Sequence, residues 1–237
     1  DSSVLNGVVN DYEINGGKLK FDGTKYTILN QGVTTGNDQE AKVTEDNTAT
    51  QKTITRYVTD ATAATKAADV KTVLNDDDKV ISMDVTKYMV GKVSYVGKDY
   101  VNVVYKAGFG VANFSGYSKL DKDSCNSDVS GLKKDDYVAV TAKANVPEEK
   151  YGVTKLETVT GKITSTKNSG DDDYKVQIDG TWYELAMASM NKEIKLNDTA
   201  TVVVKDGYIV FVDDNKASSS DIALVIEVAK TSGVGSK

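Results

Sequence analysis

The chain has 237 residues, with 29 basic against 35 acidic side chains and a net charge of −6; that length predicts one or two domains with a sizeable core. Histidine is absent, and Arg56 and Cys125 are the sole arginine and cysteine, which excludes imidazole catalysis or metal ligation, an intrachain disulfide and a two-cysteine metal or redox site. Acidity and arginine poverty argue against a nucleic-acid partner, whose phosphates and guanines are read by clustered Lys and Arg, and the longest aliphatic run, Ile222–Ile226, is far below the ~20 apolar residues of a membrane span.

The chain opens on Asp1 rather than Met, as expected of a processed protein or a fragment. From there, YEI and KLKF flank Asn15-Gly16-Gly17, and KLKF and TKYTIL flank Asp22-Gly23. An Asp-Gly pair between β-rich runs predicts a two-residue hairpin turn, because both central residues of a type I′ turn need positive φ. The polar stretch Gln31–Thr53 reads as a long loop or excursion. Asp60–Leu74, rich in Ala and free of Gly and Pro, predicts a helix of three to four turns. Further on, KVSYV and DYVNVVY flank a turn near Gly97, and Asp179-Gly180 and Asp206-Gly207 mark two more hairpins. The flanking runs are dense in Val, Ile, Thr and Tyr, which suit a half-buried pleated surface.

Self-comparison shows repetition. FDGTKY (Phe21–Tyr26) matches IDGTWY (Ile178–Tyr183), and VGKVS (Val90–Ser94) matches TGKIT (Thr160–Thr164). LNDDDKVIS from Leu74, LKKDDYVAV from Leu132 and LNDTATVVV from Leu196 share a Leu, an Asp-bearing turn and a Val-rich strand. The expected fold class is therefore all-β: tandem small antiparallel barrels or sandwiches, SH3-like or OB-like, with one helical insertion in the first unit. The expected units are 1–88, carrying an insertion over 31–73 with its helix at about 60–74, then 89–158 and 159–230, with 231–237 as a tail.

The third unit, VTGKITSTKN, YKVQIDGTWYEL, LNDTATVVVKDGYIVFVDD and SSSDIALVIEVA, resembles the repeated β modules of large cell-surface proteins of Clostridia and related Gram-positive bacteria that carry S-layer homology domains. Met89–Thr158 resembles them more loosely. The resemblance implies a secreted, non-catalytic spacer or display segment at the cell surface or wall, with wall polysaccharide, other copies of the surface protein or host glycans as partners. It carries no catalytic or cofactor-binding residues, and an anchor would lie outside this segment.

Candidate chemistry is sparse. Asp76–Asp78, Asp135–Asp136, Asp171–Asp173 and Asp213–Asp214 offer the hard oxygens that Ca²⁺ prefers, yet they lack the EF-hand spacing and read as solvated hairpin tips. No carboxylate pair stands out for glycoside hydrolysis, and AGFGVANFSG (Ala107–Gly116) is not followed by GK[ST] as a phosphate loop is. Cys125, in DKDSCNSDVSG, reads as a solvated, unactivated thiol. No catalytic, cofactor or metal residue is therefore assigned. Carbohydrate binding is the alternative: Trp182 and Glu184, two residues apart on the TWYEL strand, share a face and could stack on and bond to a sugar. Tyr183 is expected to point inward.

Overall fold

The computed structural model describes residues 3–33, 35–36, 39–111, 116–125, 129–141, 150–169, 173–187, 190 and 194–213. They form an all-β chain of three successive small barrels. The first contains β1 (Ser3–Val8), β2 (Tyr12–Asn15), β3 (Lys18–Phe21), β4 (Thr24–Tyr26), β5 (Lys42–Glu45), β6 (Thr48–Thr53), α1 (Ile54–Thr59), α2 (Ala63–Lys66), β7 (Asp69–Leu74) and β8 (Val80–Thr86). The second contains β9 (Tyr88–Val96), β10 (Tyr100–Phe109), β11 (Tyr117–Asp121), β12 (Tyr137–Thr141) and β13 (Gly152–Lys155). The third contains β14 (Glu157–Lys167), β15 (Lys175–Ile178), β16 (Thr181–Leu185), β17 (Thr199–Lys205) and β18 (Tyr208–Asp213). Sheet membership changes at Lys87 and Leu156, and none of the described strands is shared between barrels.

The three barrels follow one connectivity. In the third, the ring runs β14-β15-β16-β18-β17 and back to β14, closed by parallel pairing of β16 with β18. The second has the same order, β11-β10-β9-β12-β13, and its ends meet at a parallel bridge between Cys125 and Tyr151, where the Tyr151 N–H donates to Ser124 O at 2.8 Å. In the first, β1 and β2 act as one strand broken by the turn Val9–Asp11. Closure there is the parallel bridge of Ile28 with Val80, whose N–H donates to Thr27 O at 2.9 Å. A three-strand meander followed by a fourth and fifth strand, the fifth lying parallel to the third, is the five-stranded Greek-key order of an OB-like barrel. Tertiary pairing thus selects OB-like over SH3-like.

Local chemistry repeats with the connectivity. The N–H groups of Val9, Val93 and Ile163 each donate to the residue that enters the fourth strand, Ala68 O (3.1 Å), Asp136 O (2.8 Å) and Asp198 O (2.8 Å). Two residues earlier stand Gly7, Gly91 and Gly161. A Cβ on Gly91 would lie 2.2 Å from Val103 Cγ1, and one on Gly161 2.7 Å from Ile178 Cγ2, so the bare backbone lets the second strand's side chain close over the first. A bulge follows at the same place in both barrels, where Ser94 Oγ donates to Asn102 O and Thr164 Oγ1 to Gln177 O, each at 3.3 Å.

These equivalences correct the Leu-Asp repeat. Leu132 corresponds to buried Ile194, not to Leu196, which is exposed. Leu74–Lys79 is a different element, the tip between β7 and β8, where Asn75 Oδ1 accepts from the Asp77 and Lys79 N–H groups. The Asp-Gly expectation holds at all three sites: Asp22, Asp179 and Asp206 have φ of 48°, 49° and 52°, and the following glycines are positive as well.

The helix differs in place and length. Helical residues are Ile54–Thr59, opened by Thr53 Oγ1 accepting from the Arg56 N–H, and Ala63–Lys66. Asp69–Leu74, expected to be helical, is β7, paired with both β1 and β8. Its β-branched Val70, Thr72 and Val73 favour a strand, and two ladders of hydrogen bonds override the alanines before them. The expected loop over Gln31–Thr53 contains the hairpin β5–β6, which adds to β8 in parallel and buries Val43. Its turn, Asp46-Asn47, has φ of 49° and 65°; Asn fills the left-handed position usually marked by Gly.

Val9, Leu19, Ile54 and Met83 centre the first core, and Val93, Val103, Leu120 and Val138 the second. The core of the third barrel continues outward to Val8 and Ala67 of the first barrel and to Tyr88, Val90, Phe109 and Tyr137 of the second. The third barrel therefore packs against both of its predecessors.

Candidate functional site

The junction of the three barrels gathers a network of partly buried polar side chains. Lys205, at the end of β17, bonds Asp69 Oδ1 of the first barrel at 2.6 Å and Asp206 Oδ2 at 2.8 Å, and its ammonium lies 4.8 Å from the ring centre of Tyr88. Tyr88 is stacked on Phe109 and donates to Ala67 O at 3.2 Å. Tyr208 Oη donates to Asp11 Oδ1 at 2.5 Å, and Asp11 Oδ2 accepts from the Val8 N–H. Between the second and third barrels, Tyr137 Oη donates to Asp213 Oδ2 at 2.6 Å, with Lys92 3.5 Å from the same oxygen. The Asp206-Gly207 turn thus carries Lys205 and Tyr208 on its two flanks into the first barrel.

Burial sets the electrostatics here. It raises the Asp69 carboxyl above the ordinary range despite the neighbouring Lys205. For Lys205, burial pulls the ammonium pKa down, but the bonds to Asp206 and Asp69 outweigh it and the net shift is upward. Burial foremost, then the bond to Asp11, pushes the Tyr208 phenol well above its usual value. A groove of about 540 Å³ between the first and third barrels is lined by Asn6, Asp11, Asp69, Lys71, Thr86 and Asp206, among others. Asp69 and Asp11 accept from Lys205 and Tyr208 and so tie the first barrel to the third, while Asp206 accepts from Lys205 within the third.

Trp182 and Glu184 lie on β16, opposite Gln177 and Lys175 of β15, and both are half-buried. Tyr183, between them, packs on the barrel core. The Lys167 ammonium sits 4.3 Å from the Trp182 ring centre. Glu184 accepts from Asn10 Nδ2 of the first barrel at 2.6 Å, and burial foremost raises its carboxyl, with Lys175 opposing. One member of the pair is covered by a lysine and the other is engaged at the junction.

Asp76–Asp78 form an exposed tip, and Asp136 is tied to the Lys133 N–H and to Lys155. Asp171, Asp172 and Asp214 lie outside the described residues. Among the described residues no group of three or more acidic or cysteine side chains is placed to hold a metal ion. Cys125 is buried, contrary to the solvated thiol expected from its polar neighbours: its bridge to Tyr151 draws it into the second core, Sγ lies 3.5 Å from Asp121 O, and burial raises its pKa. Lys205 and Asp69 escaped the sequence reading because a lysine beside a hairpin turn and an aspartate before a Val-rich run carry no signal of meeting 136 residues apart.

No protein-family profile matches the chain, and no curated protein matches it. Among solved structures it is similar to a multidomain protein with nucleic acid binding domains from Streptococcus pneumoniae TIGR4, at 14% identity and a TM-score of 0.20, over 87% of this chain and 71% of that one. The exclusion of nucleic acid, drawn from charge and arginine content alone, conflicts with that description and is withdrawn. At this TM-score the likeness assigns no partner to the chain.

Proposed function

We propose that the chain is a non-catalytic structural segment of an extracellular bacterial cell-surface protein, in which three OB-like barrels are tied into one stiff body. The observation that carries this reading is Lys205, a third-barrel residue bonded to Asp69 of the first barrel and seated on Tyr88 of the second. A string of independent modules would need no such tie. The resemblance of Val159–Ala229 to bacterial cell-surface modules supports the extracellular assignment. Carbohydrate binding at Trp182 and Glu184 ranks second, because Lys167 covers the indole and Asn10 takes the carboxylate.

Two measurements test the reading. Labelling of intact source cells with a membrane-impermeant biotin reagent should tag the protein without lysis; tagging only after lysis would overturn the surface assignment. Small-angle scattering should give a compact particle that one rigid arrangement fits. A profile that requires an ensemble of hinged barrels would overturn the stiff-segment assignment.

A further inference from the structure

The middle barrel carries an aromatic face that the structural reading does not use. On the outer side of β9, β10 and β11, register places Tyr95, Asn102 and Lys119 in one row and Lys92, Val104 and Tyr117 in the next. The inward residues of these strands, Val93, Val101 and Val103, are fully buried. Tyr95 and Tyr117 are 55% and 58% exposed, and they are the exposed aromatic rings among the described residues. Tyr100 extends the patch, its ring centre 5.9 Å from that of Tyr95. Lys119 lies over Tyr100 at 4.5 Å. Beneath them, Asn102 Oδ1 is covered and has no hydrogen-bond partner in the fold.

We propose that this face binds a neutral glycan, with pyranose rings stacked on Tyr95 and Tyr117 and a sugar hydroxyl donating to Asn102 Oδ1 once the overlying side chains turn aside. Tyrosine supplies flat, amphipathic contact area at low entropic cost, and two rings on different strands present a platform rather than a single stray side chain. Charge selects the ligand class. Lys119 is 3.5 Å from Asp121 and Lys92 is 3.5 Å from Asp213, so the cations of the face are already matched and an uncharged ligand fits it best. In the third barrel the equivalent positions are Ser165, Gln177 and Trp182, and there the aromatic lies under Lys167. The open platform therefore belongs to the middle barrel.

Chitohexaose and cellohexaose, titrated into the isotopically labelled chain and followed by NMR, test this site. At least one should shift the amides of β9, β10 and β11 with a sub-millimolar Kd. The double variant Tyr95→Ala/Tyr117→Ala should weaken binding at least tenfold, Tyr95→Phe/Tyr117→Phe should retain it, and Trp182→Ala should leave it unchanged. Both tyrosines are exposed, so the two tyrosine double variants should melt with the parent. Three results would each overturn the proposal: no shift with either hexaose, binding that survives the alanine pair, or a dT12 oligonucleotide that shifts this face when the sugars do not. None of them bears on the scattering and surface-labelling tests of the structural reading.

Discussion

Lys205 Nζ and Asp69 Oδ1 meet at 2.6 Å across the junction of the first and third barrels. The lysine side chain is nearly buried and the aspartate about one third exposed, so removing one partner leaves the other charge poorly solvated. Lys205→Ala is expected to destabilise the chain by roughly 2–3 kcal/mol, below the ~3–5 kcal/mol of fully buried pairs because Asp69 keeps some water. Urea unfolding checks the value. The companion Lys205→Met/Asp69→Leu should recover at least half of the loss, and no recovery would show that the pair is not coupled.

Glu184 links the stability of the fold to pH. Its carboxyl is raised in the folded state, first by burial and further by Asp173 and Asp11, while Lys175 and the bond from Asn10 oppose. The native state then holds a proton that the unfolded chain releases from about pH 4.3, so this group lowers stability as pH rises from there through its folded pKa. Glu184→Gln, which keeps an oxygen to accept from Asn10, should be at least as stable as the parent at pH 7. The difference should vanish below about pH 4 in parallel urea titrations. A Gln variant weaker than the parent at pH 7 but not at pH 4 would reverse the assigned sign.

Gly91 and Gly161 are expected to tolerate no side chain. Gly91→Ala places a methyl against Val103 Cγ1, and overpacking of this kind costs about 1–3 kcal/mol. Val103→Ala in the same chain should relieve part of that cost. Denaturation of the two single variants and the double variant measures the coupling, which should be favourable by more than about 0.5 kcal/mol.

Cys125 should be slow toward Ellman's reagent in the native chain, because its thiol is buried and its pKa raised, and the thiolate is the reactive species. In 8 M urea the reaction should reach the rate of a free peptide thiol. A native rate equal to the unfolded one would place the thiol at the surface.

What the sequence determined by itself is local. Asp22-Gly23, Asp179-Gly180 and Asp206-Gly207 demand left-handed backbone at two successive residues, a requirement met within four residues and therefore visible without the fold. The match of Phe21–Tyr26 with Ile178–Tyr183 is readable for the same reason, since both segments are a second strand, its turn and a third strand. What only tertiary structure decided depends on partners distant in the chain. Parallel closure by Ile28 with Val80 and by β16 with β18 sets the barrel type, although neither pair is adjacent in sequence. Asp69–Leu74 becomes a strand because β1 and β8 bond it from both sides, which local alanine content cannot signal. Lys205 finds Asp69, and Glu184 finds Asn10, because the third barrel folds back on the first; two-residue spacing on β16 foretold the common face of Trp182 and Glu184 but not what would cover it.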